Sequence, residues 1–222
     1  MTLSRTHERF SHKTTRVIIA DDHPVVLIGM RMTLSTLANP TICITGEAST
    51  PEALILLLER QSCDLLITDF FMPSDKYPDG LALISFIQRN FPGIKVLVMT
   101  MMNNLLILRQ LLKLKVNGLI DKNSTPVELR SAVRLSLKGD RYVSPSFGLL
   151  LESAKKGEIT HSNLSPKELE VVRLFGQELA GREIARRLNR SEKTISRQKR
   201  SAMKKLSIKS NGQLAVFGQS FL

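Results

Sequence analysis

The sequence predicts an α/β domain with a parallel five-stranded sheet, followed by a smaller all-α domain. In the first part of the chain, short apolar and β-branched runs alternate with longer segments of helical periodicity. That alternation is typical of strand–helix–strand units in which helices cover both faces of the sheet. From Leu164 onward only helical periodicity remains. The chain has 222 residues, of which 42% are hydrophobic, enough for a core in each domain.

The predicted strands are short and almost wholly apolar, as expected for strands buried on both faces. They are VIIA (17–20), ICIT (42–45), LLIT (65–68), VLVM (96–99) and GLID (118–121). Three helix starts are marked by a capping residue before a proline at the first helical position: Thr50-Pro51, Thr125-Pro126 and Ser165-Pro166. In the last two, a glutamate three residues after the cap completes a capping box.

These patterns divide the chain into three segments. The α/β domain covers residues 16–138, and the helical domain covers residues 164–222. Residues 139–163 are mixed: Ser144-Pro145 opens a short helix, and the polar stretch GEITHSN that follows is typical of a linker.

The composition indicates a polyanionic partner. The chain has 32 Lys and Arg against 20 Asp and Glu, a net charge of +12, and residues 182–209 alone carry +9. Nucleic acid and an anionic membrane surface both fit such a balance. Two cysteines, Cys43 and Cys63, are too few for a disulfide framework. The polar N-terminal segment lacks the apolar core of a signal peptide, so we expect a soluble cytoplasmic protein.

Polar residues follow four of the predicted strands. Asp21 and Asp22 follow the first, Asp69 the third, Thr100 the fourth and Lys122 the fifth. The carboxyl ends of parallel strands share one edge of the sheet, so these groups should lie close together. Three carboxylates repel one another unless a cation is bound, and hard oxygen ligands suit magnesium. One such aspartate could equally cap a helix, whereas the whole set favours a functional site.

A basic helix is predicted over residues 192–206. Its apolar residues Ile195, Ala202 and Leu206 fall on one side. The opposite side carries basic and hydroxyl groups: Lys193, Ser196, Arg197, Arg200 and Lys204. A solvated charged face is the simplest alternative, but acidic partners are nearly absent from it. A second helix (182–188) precedes it across a short turn, which predicts a helix-turn-helix whose second helix enters the DNA major groove.

The stretches IIADDHP, LLITDFFMP, VLVMT and GLIDK resemble the receiver domain of bacterial two-component response regulators. The resemblance implies a flavodoxin-like (βα)5 fold in which a histidine kinase or phosphotransfer protein phosphorylates Asp69. It also implies magnesium ligands, namely Asp21, Asp22, Asp69 and the backbone carbonyl of Phe71.

Three further residues of the receiver belong to its switch by the same resemblance. Thr100 would bind the phosphoryl group through its hydroxyl, and Lys122 would pair with that group. Leu119 stands where the family commonly has an aromatic residue that rotates on activation. Asp121 stands beside Lys122 where an aliphatic residue is usual, and strand alternation predicts that it points away from the lysine.

The stretches EIARRL, SEKTI and KKL resemble the four-helix DNA-binding domain of LuxR/FixJ-type regulators. By that resemblance, base edges would be contacted by Ser196, Arg197 and Arg200. Phosphates would be contacted by Lys193, Thr194, Lys199 and Lys204. The last helix, about 210–219, is the usual dimer surface in that family. Glu178 replaces the usual turn glycine.

Together the two resemblances imply a NarL/FixJ-type regulator, and the loop SDKYPDG and the segment RSEKTISRQKRSAMKKL are most similar to the Rcs-type branch. The implied function is a non-enzymatic transcriptional regulator that binds double-stranded DNA as a dimer. Implied partners are the kinase, a second copy or an auxiliary regulator, and RNA polymerase.

Three other functions are weighed against it. One is a regulator whose DNA binding does not depend on phosphorylation. Another is a haloacid dehalogenase-type phosphatase, but such enzymes carry their nucleophile after the first strand in a D-x-D pattern. The last is a membrane-bound basic helix, which would need a larger apolar face.

The helix after the fourth strand, about 103–115, has more apolar residues than one buried stripe requires. Leu108, Leu111, Leu112 and Val116 supply that stripe, and Leu105–Ile107 remain in the first turn. Two alternatives follow for this turn. It packs beneath the loop after the third strand, or it is an exposed patch that contacts another receiver.

Overall fold

The computed structural model describes residues 14–72, 74, 77, 80–101, 105–155, 164–206 and 211–219. Within those ranges the chain forms six strands and ten helices in two domains. In chain order they are β1 (Thr15–Ala20), α1 (Pro24–Ser35), β2 (Ile42–Ala48), α2 (Pro51–Arg60), β3 (Leu65–Asp69), α3 (Gly80–Asn90), β4 (Lys95–Thr100), α4 (Leu105–Lys113), β5 (Gly118–Asp121), α5 (Pro126–Lys138), β6 (Tyr142–Val143), α6 (Pro145–Lys155), α7 (Pro166–Gly176), α8 (Gly181–Arg187), α9 (Glu192–Lys205) and α10 (Asn211–Gln219).

The α/β domain is a parallel sheet with the strand order β2-β1-β3-β4-β5-β6. The five predicted strands are confirmed, and their order is that of a flavodoxin-like domain. The sixth strand was not predicted. It contains only Tyr142 and Val143, which pair with Gly118 and Leu119, and a two-residue strand has too few residues to show a period.

Helices cover both faces of the sheet, as the apolar strands require. On one face Ile19 and Leu65 pack with Leu34 of α1 and Val133 of α5. On the other face the strands pack with α2, α3 and α4, and the fully buried Phe147 of α6 belongs to the same cluster. The linker stretch GEITHSN lies outside the described residues. No helix in the described ranges combines the length and the apolar character needed to cross a bilayer.

The helical domain is held together by close packing of α7 and α10. A side chain at Gly218 would come within 2.4 Å of the Val172 carbonyl oxygen, so only glycine allows this approach. The predicted turn at Glu178 keeps its left-handed conformation without glycine, with a φ of 62°. Such a conformation costs a non-glycine residue about 1–3 kcal/mol. Asn189 adopts φ 49° between α8 and α9, which asparagine tolerates well.

Ile107, in the first turn of α4, does not belong to the exposed apolar patch that one alternative predicted. Ile107 is only 2% exposed and lies beside Phe70 and Phe71, the first residues after β3. Burial of this residue is what the alternative of packing beneath the loop predicts, and the exposed-patch alternative is wrong at Ile107. The Leu106 side chain lies outside the described residues.

Exposed apolar side chains are instead grouped on α1. Val25, Ile28 and Met32 are all exposed, and Met32 has 68% of its surface accessible. Their spacing of three and four residues places them on one side of the helix. The outward face of α1 is therefore an apolar stripe, defined here by these three residues.

Candidate functional site

An acidic pocket lies where β1 and β3 end. Asp21 is fully buried and Asp69 is 5% exposed, whereas Asp22 is partly exposed. The neighbouring strands bring these residues together because Ala20 pairs with Thr68 in the register of β1 and β3. The predicted gathering of the three carboxylates at one edge of the sheet is present in the structure.

Lys122 balances part of this negative charge. Its Nζ lies 2.8 Å from Asp21 Oδ2 and 2.8 Å from Asp69 Oδ2, so one ammonium bridges two buried carboxylates. Lys122 is itself oriented by its backbone N–H, which donates to the Thr100 carbonyl at 3.0 Å. Burial would lower the pKa of Lys122, but Asp69 and Asp21 outweigh burial and raise it. Lys122 therefore remains charged.

Asp69 is held in an environment that disfavours its charge. Burial raises the pKa of Asp69 to about 6, while Lys122 lowers it, the Asp21 carboxylate raises it further and the Phe71 N–H lowers it. The Phe70 N–H also donates to Asp69 Oδ1 at 2.6 Å. The ionised carboxylate gains from any further positive charge in the pocket, which is the condition for binding a cation there.

The pocket has the donor set of a divalent cation site. Asp21, Asp22, His23 and Asp69 each offer one ligand atom, and these atoms lie within 4.8 Å of one another. Asp22 Oδ1 is buried without an accepted hydrogen bond, though His23 Nδ1 lies 2.8 Å away. Three carboxylates with room for water fit a hard cation such as magnesium.

His23 was not predicted as part of this group. Its backbone N–H donates to Asp21 Oδ1 at 2.9 Å, and its ring contacts Asp22, so it orients both members of the acid pair. Its position directly after Asp21 and Asp22 was the only signal in the sequence, and adjacency alone does not distinguish a site residue from a helix cap.

Two of the predicted switch residues, Thr100 and Leu119, are both buried, but only Thr100 lies at the strand end beside Asp69. Thr100 is buried at the end of β4, one residue beyond Met99, which pairs with Asp69. Leu119 is fully buried in the core. It pairs with Val98 on one side and with Val143 of β6 on the other. An aliphatic side chain enclosed in this way has no exposed orientation from which to rotate.

Asp121 points away from Lys122, as strand alternation predicts. Its Oδ2 accepts a hydrogen bond from the Ser146 hydroxyl at 2.8 Å, and its backbone N–H donates to Ser144 Oγ at 3.0 Å. Both serines lie at the start of α6. Asp121 therefore ties the strand that carries Lys122 to the helix that leads toward the second domain.

The basic face of α9 is exposed. It presents Lys193, Ser196, Arg197, Arg200 and Lys204 to solvent, while Ile195 and Ala202 are buried against the rest of the domain. The helix starts at the cap Ser191, whose Oγ accepts from the Thr194 N–H at 3.1 Å. The structure therefore brings five of the seven predicted DNA-contacting residues onto one surface.

The other two lie differently. Thr194 is only partly exposed, and its hydroxyl is 2.8 Å from Ser191 Oγ. Lys199 places its ammonium over the Phe175 ring, 4.5 Å from the centroid. Lys199 would have to leave this ring to contact a phosphate, which the helical wheel alone did not reveal.

Glu168 fixes α9 relative to α7. It is 6% exposed and accepts hydrogen bonds at 2.6 Å from the Ser201 hydroxyl and from Lys205 Nζ, both on α9. It also closes the predicted capping box by accepting from the Ser165 N–H. Burial would raise the pKa of Glu168, but these hydrogen bonds outweigh burial and lower the pKa to about 2.

Comparisons with known proteins agree with this two-domain arrangement. The family model of the response regulator receiver domain matches residues 17–134, and that of bacterial regulatory proteins, luxR family, matches residues 162–217. The transcriptional regulatory protein RcsB of Escherichia coli strain K12 is 44% identical over 195 residues, which cover 88% of this chain and 89% of RcsB.

Two solved structures extend the comparison to three dimensions. RcsB from Salmonella enterica serovar Typhimurium, bound to promoter P1flhDC with the phosphomimetic BeF3−, is 42% identical, with a TM-score of 0.77. The match covers 93% of this chain and 98% of that one. A structure of two RcsB dimers bound to two parallel DNAs is 41% identical, with a TM-score of 0.60, and covers 94% and 100%.

We predict that Glu168→Gln destabilises the helical domain by about 1–3 kcal/mol at pH 7, because buried groups lose a charged partner. The lowered pKa means that this stabilisation is complete above about pH 4.5 and is lost as the pH falls toward 2. Urea unfolding of both proteins between pH 7 and pH 3 measures it. Glu183→Gln, on the exposed side of α8, is the control. If the difference in unfolding free energy between the wild type and Glu168→Gln is as large at pH 3 as at pH 7, the ionised Glu168 carboxylate is not its cause.

Proposed function

The chain belongs to the response regulators that join a receiver domain to a luxR-type DNA-binding domain, and we propose that phosphorylation of Asp69 controls its binding to DNA. The observation that carries the proposal is the position of Asp69 close to the buried Asp21, with the ammonium of Lys122 bridging the two carboxylates. A carboxylate in that position is a nucleophile with a cation beside it to receive a phosphoryl group.

The proposed reaction is a phosphoryl transfer. An Asp69 carboxylate oxygen attacks phosphorus, the bond from phosphorus to the histidine nitrogen of the donor breaks, and the imidazole leaves. Lys122 lies next to the Asp69 carboxylate that forms the acyl phosphate, and the Thr100 hydroxyl at the end of β4 donates a hydrogen bond to a phosphoryl oxygen. Magnesium, held by Asp21, Asp22, Asp69 and the Phe71 carbonyl, would supply positive charge for the transferred group.

Double-stranded DNA is the proposed target of α9. Its exposed face combines four long cations with a hydroxyl near the N-terminal end, the end that points into the major groove in helix-turn-helix proteins. We assign Ser196, Arg197 and Arg200 to base edges. Lys193 and Lys204 then contact phosphates, and Thr194 and Lys199 do so after local rearrangement. The related RcsB has been solved on promoter DNA, which supports this assignment.

Self-association is proposed through the apolar stripe on α1. Val25, Ile28 and Met32 are exposed on one side of α1, and exposed apolar patches commonly mark protein contacts. We propose a second copy of this chain as the occupant, because RcsB binds DNA as dimers. An auxiliary regulator on the same stripe and RNA polymerase beside the bound DNA complete the proposed set of partners, in the cytoplasm.

One observation favours a second candidate function, DNA binding that does not require phosphorylation. The proposed base-contacting side chains Ser196, Arg197 and Arg200 are exposed to solvent. The enclosed Leu119 also offers no rotating aromatic side chain. The phosphatase alternative is disfavoured, because Asp69 follows β3 rather than the first strand.

For phosphorylation, we predict that a small phosphodonor with magnesium labels the wild-type chain and that Asp69→Asn abolishes labelling. The reactive form is the ionised carboxylate. Since the pKa of Asp69 is raised to about 6, the initial rate should increase as the pH rises from 5 to 7. Magnesium favours the ionised form and should move this dependence to lower pH.

The matched variant for this prediction is Asp22→Asn. It removes a metal ligand but not the nucleophile, so labelling should recover at higher magnesium concentration. Persistent labelling of Asp69→Asn would assign the nucleophile to another residue. A DNA footprint with and without the phosphodonor then separates the two candidate functions, because only the first requires the donor.

For DNA binding, Arg197→Ala should lose about 1–3 kcal/mol on the specific site and relax the base preference at one position. Lys204→Ala should weaken binding to all sequences similarly and reduce the slope of affinity against salt concentration by about 1. Binding titrations on specific and unrelated DNA at several salt concentrations measure both effects. Equal behaviour of the two variants would contradict the division between base and phosphate contacts.

For self-association, Ile28→Lys together with Met32→Glu should weaken dimer formation, since both changes place charge in a surface that becomes desolvated on contact. Sedimentation of the full chain, with and without a phosphate mimic, measures it. Leu149→Glu on α6 is the control, because it charges an equally exposed leucine away from the stripe. Unchanged association of the double variant in both states would exclude α1 as the contact.

A further inference from the structure

Two arginines of the DNA-binding domain contact the loop after β3 of the receiver. The guanidinium carbon of Arg173, on α7, lies 4.0 Å from the centroid of the Phe71 ring. Arg173 is only 3% exposed, so this cation lies over the ring within a buried contact between the domains. Arg187, on α8, donates from Nη2 and Nε to the Ser74 carbonyl at 3.1 and 3.2 Å.

The same loop forms one wall of the acidic pocket. The Phe71 N–H donates to the Asp69 carboxylate, and the Phe71 carbonyl is the proposed backbone ligand for magnesium. The Phe71 ring packs edge-on against Phe70, with centroids 4.5 Å apart. One residue therefore contacts the nucleophile through its backbone and the second domain through its ring.

Hydrogen bonds hold the loop on both sides of Phe71, so a contact with the Phe71 ring acts on the short backbone segment between them. The Gly80 N–H donates to the Phe70 carbonyl at 3.0 Å, and the Ser74 hydroxyl contacts Glu52 of α2. Between these anchors the backbone at Phe71 must be ordered before its carbonyl can bind a metal ion, and ordering costs conformational entropy. The Arg173 cation over the Phe71 ring orders this backbone before a metal ion binds.

This contact does not cover the DNA-reading face. Arg197 and Arg200 of α9 are exposed, while the receiver meets α7 and the end of α8. A cavity of about 240 Å³ between the domains is lined by Phe71 and Ile107 on one side and by Pro166 and Arg190 on the other. The interface thus links the two domains without blocking α9.

We propose that Arg173 is a positioning residue for the phosphoacceptor site, although it belongs to the DNA-binding domain. By holding the Phe71 ring it fixes the backbone of the metal-binding loop, and so it increases magnesium affinity and the rate of Asp69 phosphorylation. The phosphorylation half of this inference rests on the proposed function. Because coupling is reciprocal, magnesium binding strengthens the contact between the domains by the same factor.

Magnesium binding to the full-length, unphosphorylated chain tests the inference directly. We expect Arg173→Met, which keeps the buried volume but removes the cation, to weaken magnesium binding about threefold to tenfold by calorimetry. Phe71→Leu keeps the backbone carbonyl but removes the ring, and should weaken binding similarly. The double variant should be no weaker than the weaker single variant, because each change removes the same contact.

The magnesium concentration that gives half the maximal labelling rate is the second readout, and it should rise by the same factor. Arg200→Ala is the matched control, an arginine on exposed α9 that should leave both magnesium readouts unchanged while it weakens DNA binding. Arg187→Met, which removes the Ser74 contact, should also weaken magnesium binding. It replaces Arg173→Met as the test variant if the buried Arg173→Met substitution unfolds the domain.

The inference would be overturned if Arg173→Met binds magnesium as tightly as the wild type does. It would also be overturned if the effects of Arg173→Met and Phe71→Leu on magnesium affinity are additive. If Arg173→Met unfolds, unchanged affinity in Arg187→Met overturns it. A wild-type chain that binds magnesium but is never labelled would contradict the proposed function alone, because the magnesium arm is read without phosphorylation.

Discussion

Buried negative charge at the end of β3 is the constraint on which the site depends. Asp69 and Asp21 lie side by side out of solvent, and a carboxylate in that position is costly without compensation. Lys122 compensates both, yet the pKa of Asp69 is still raised to about 6. The pocket is therefore short of positive charge, which is the physical reason that it suits a divalent cation.

The helix α7 connects this pocket to the DNA-binding surface. Its N-terminal Glu168 holds α9 through Ser201 and Lys205, and Arg173, one and a half turns further on, holds the Phe71 ring of the receiver. One helix therefore contacts both the loop after β3 and the helix that carries the exposed basic face.

Much of this architecture is readable from local pattern. The five strands, the capping boxes at Thr125 and Ser165, and the basic face of α9 were predicted and are present. So were the carboxylates at the strand ends, because a parallel sheet brings all its carboxyl ends to one edge whatever the rest of the chain does. A few neighbouring residues are enough to encode whether a strand is buried, where a helix is capped and which side of a helix is apolar.

The sequence by itself determined the two domains, their order, the carboxylates of the pocket and the cationic face of α9. Only the tertiary structure decided that Ile107 is buried, that Lys199 lies over Phe175 and that Arg173 contacts Phe71. Each of these depends on which surfaces meet, between residues far apart in the chain or between domains. Periodicity reports the average environment of a residue and its near neighbours, whereas a contact such as that of Arg187 with Ser74 has no period to reveal it.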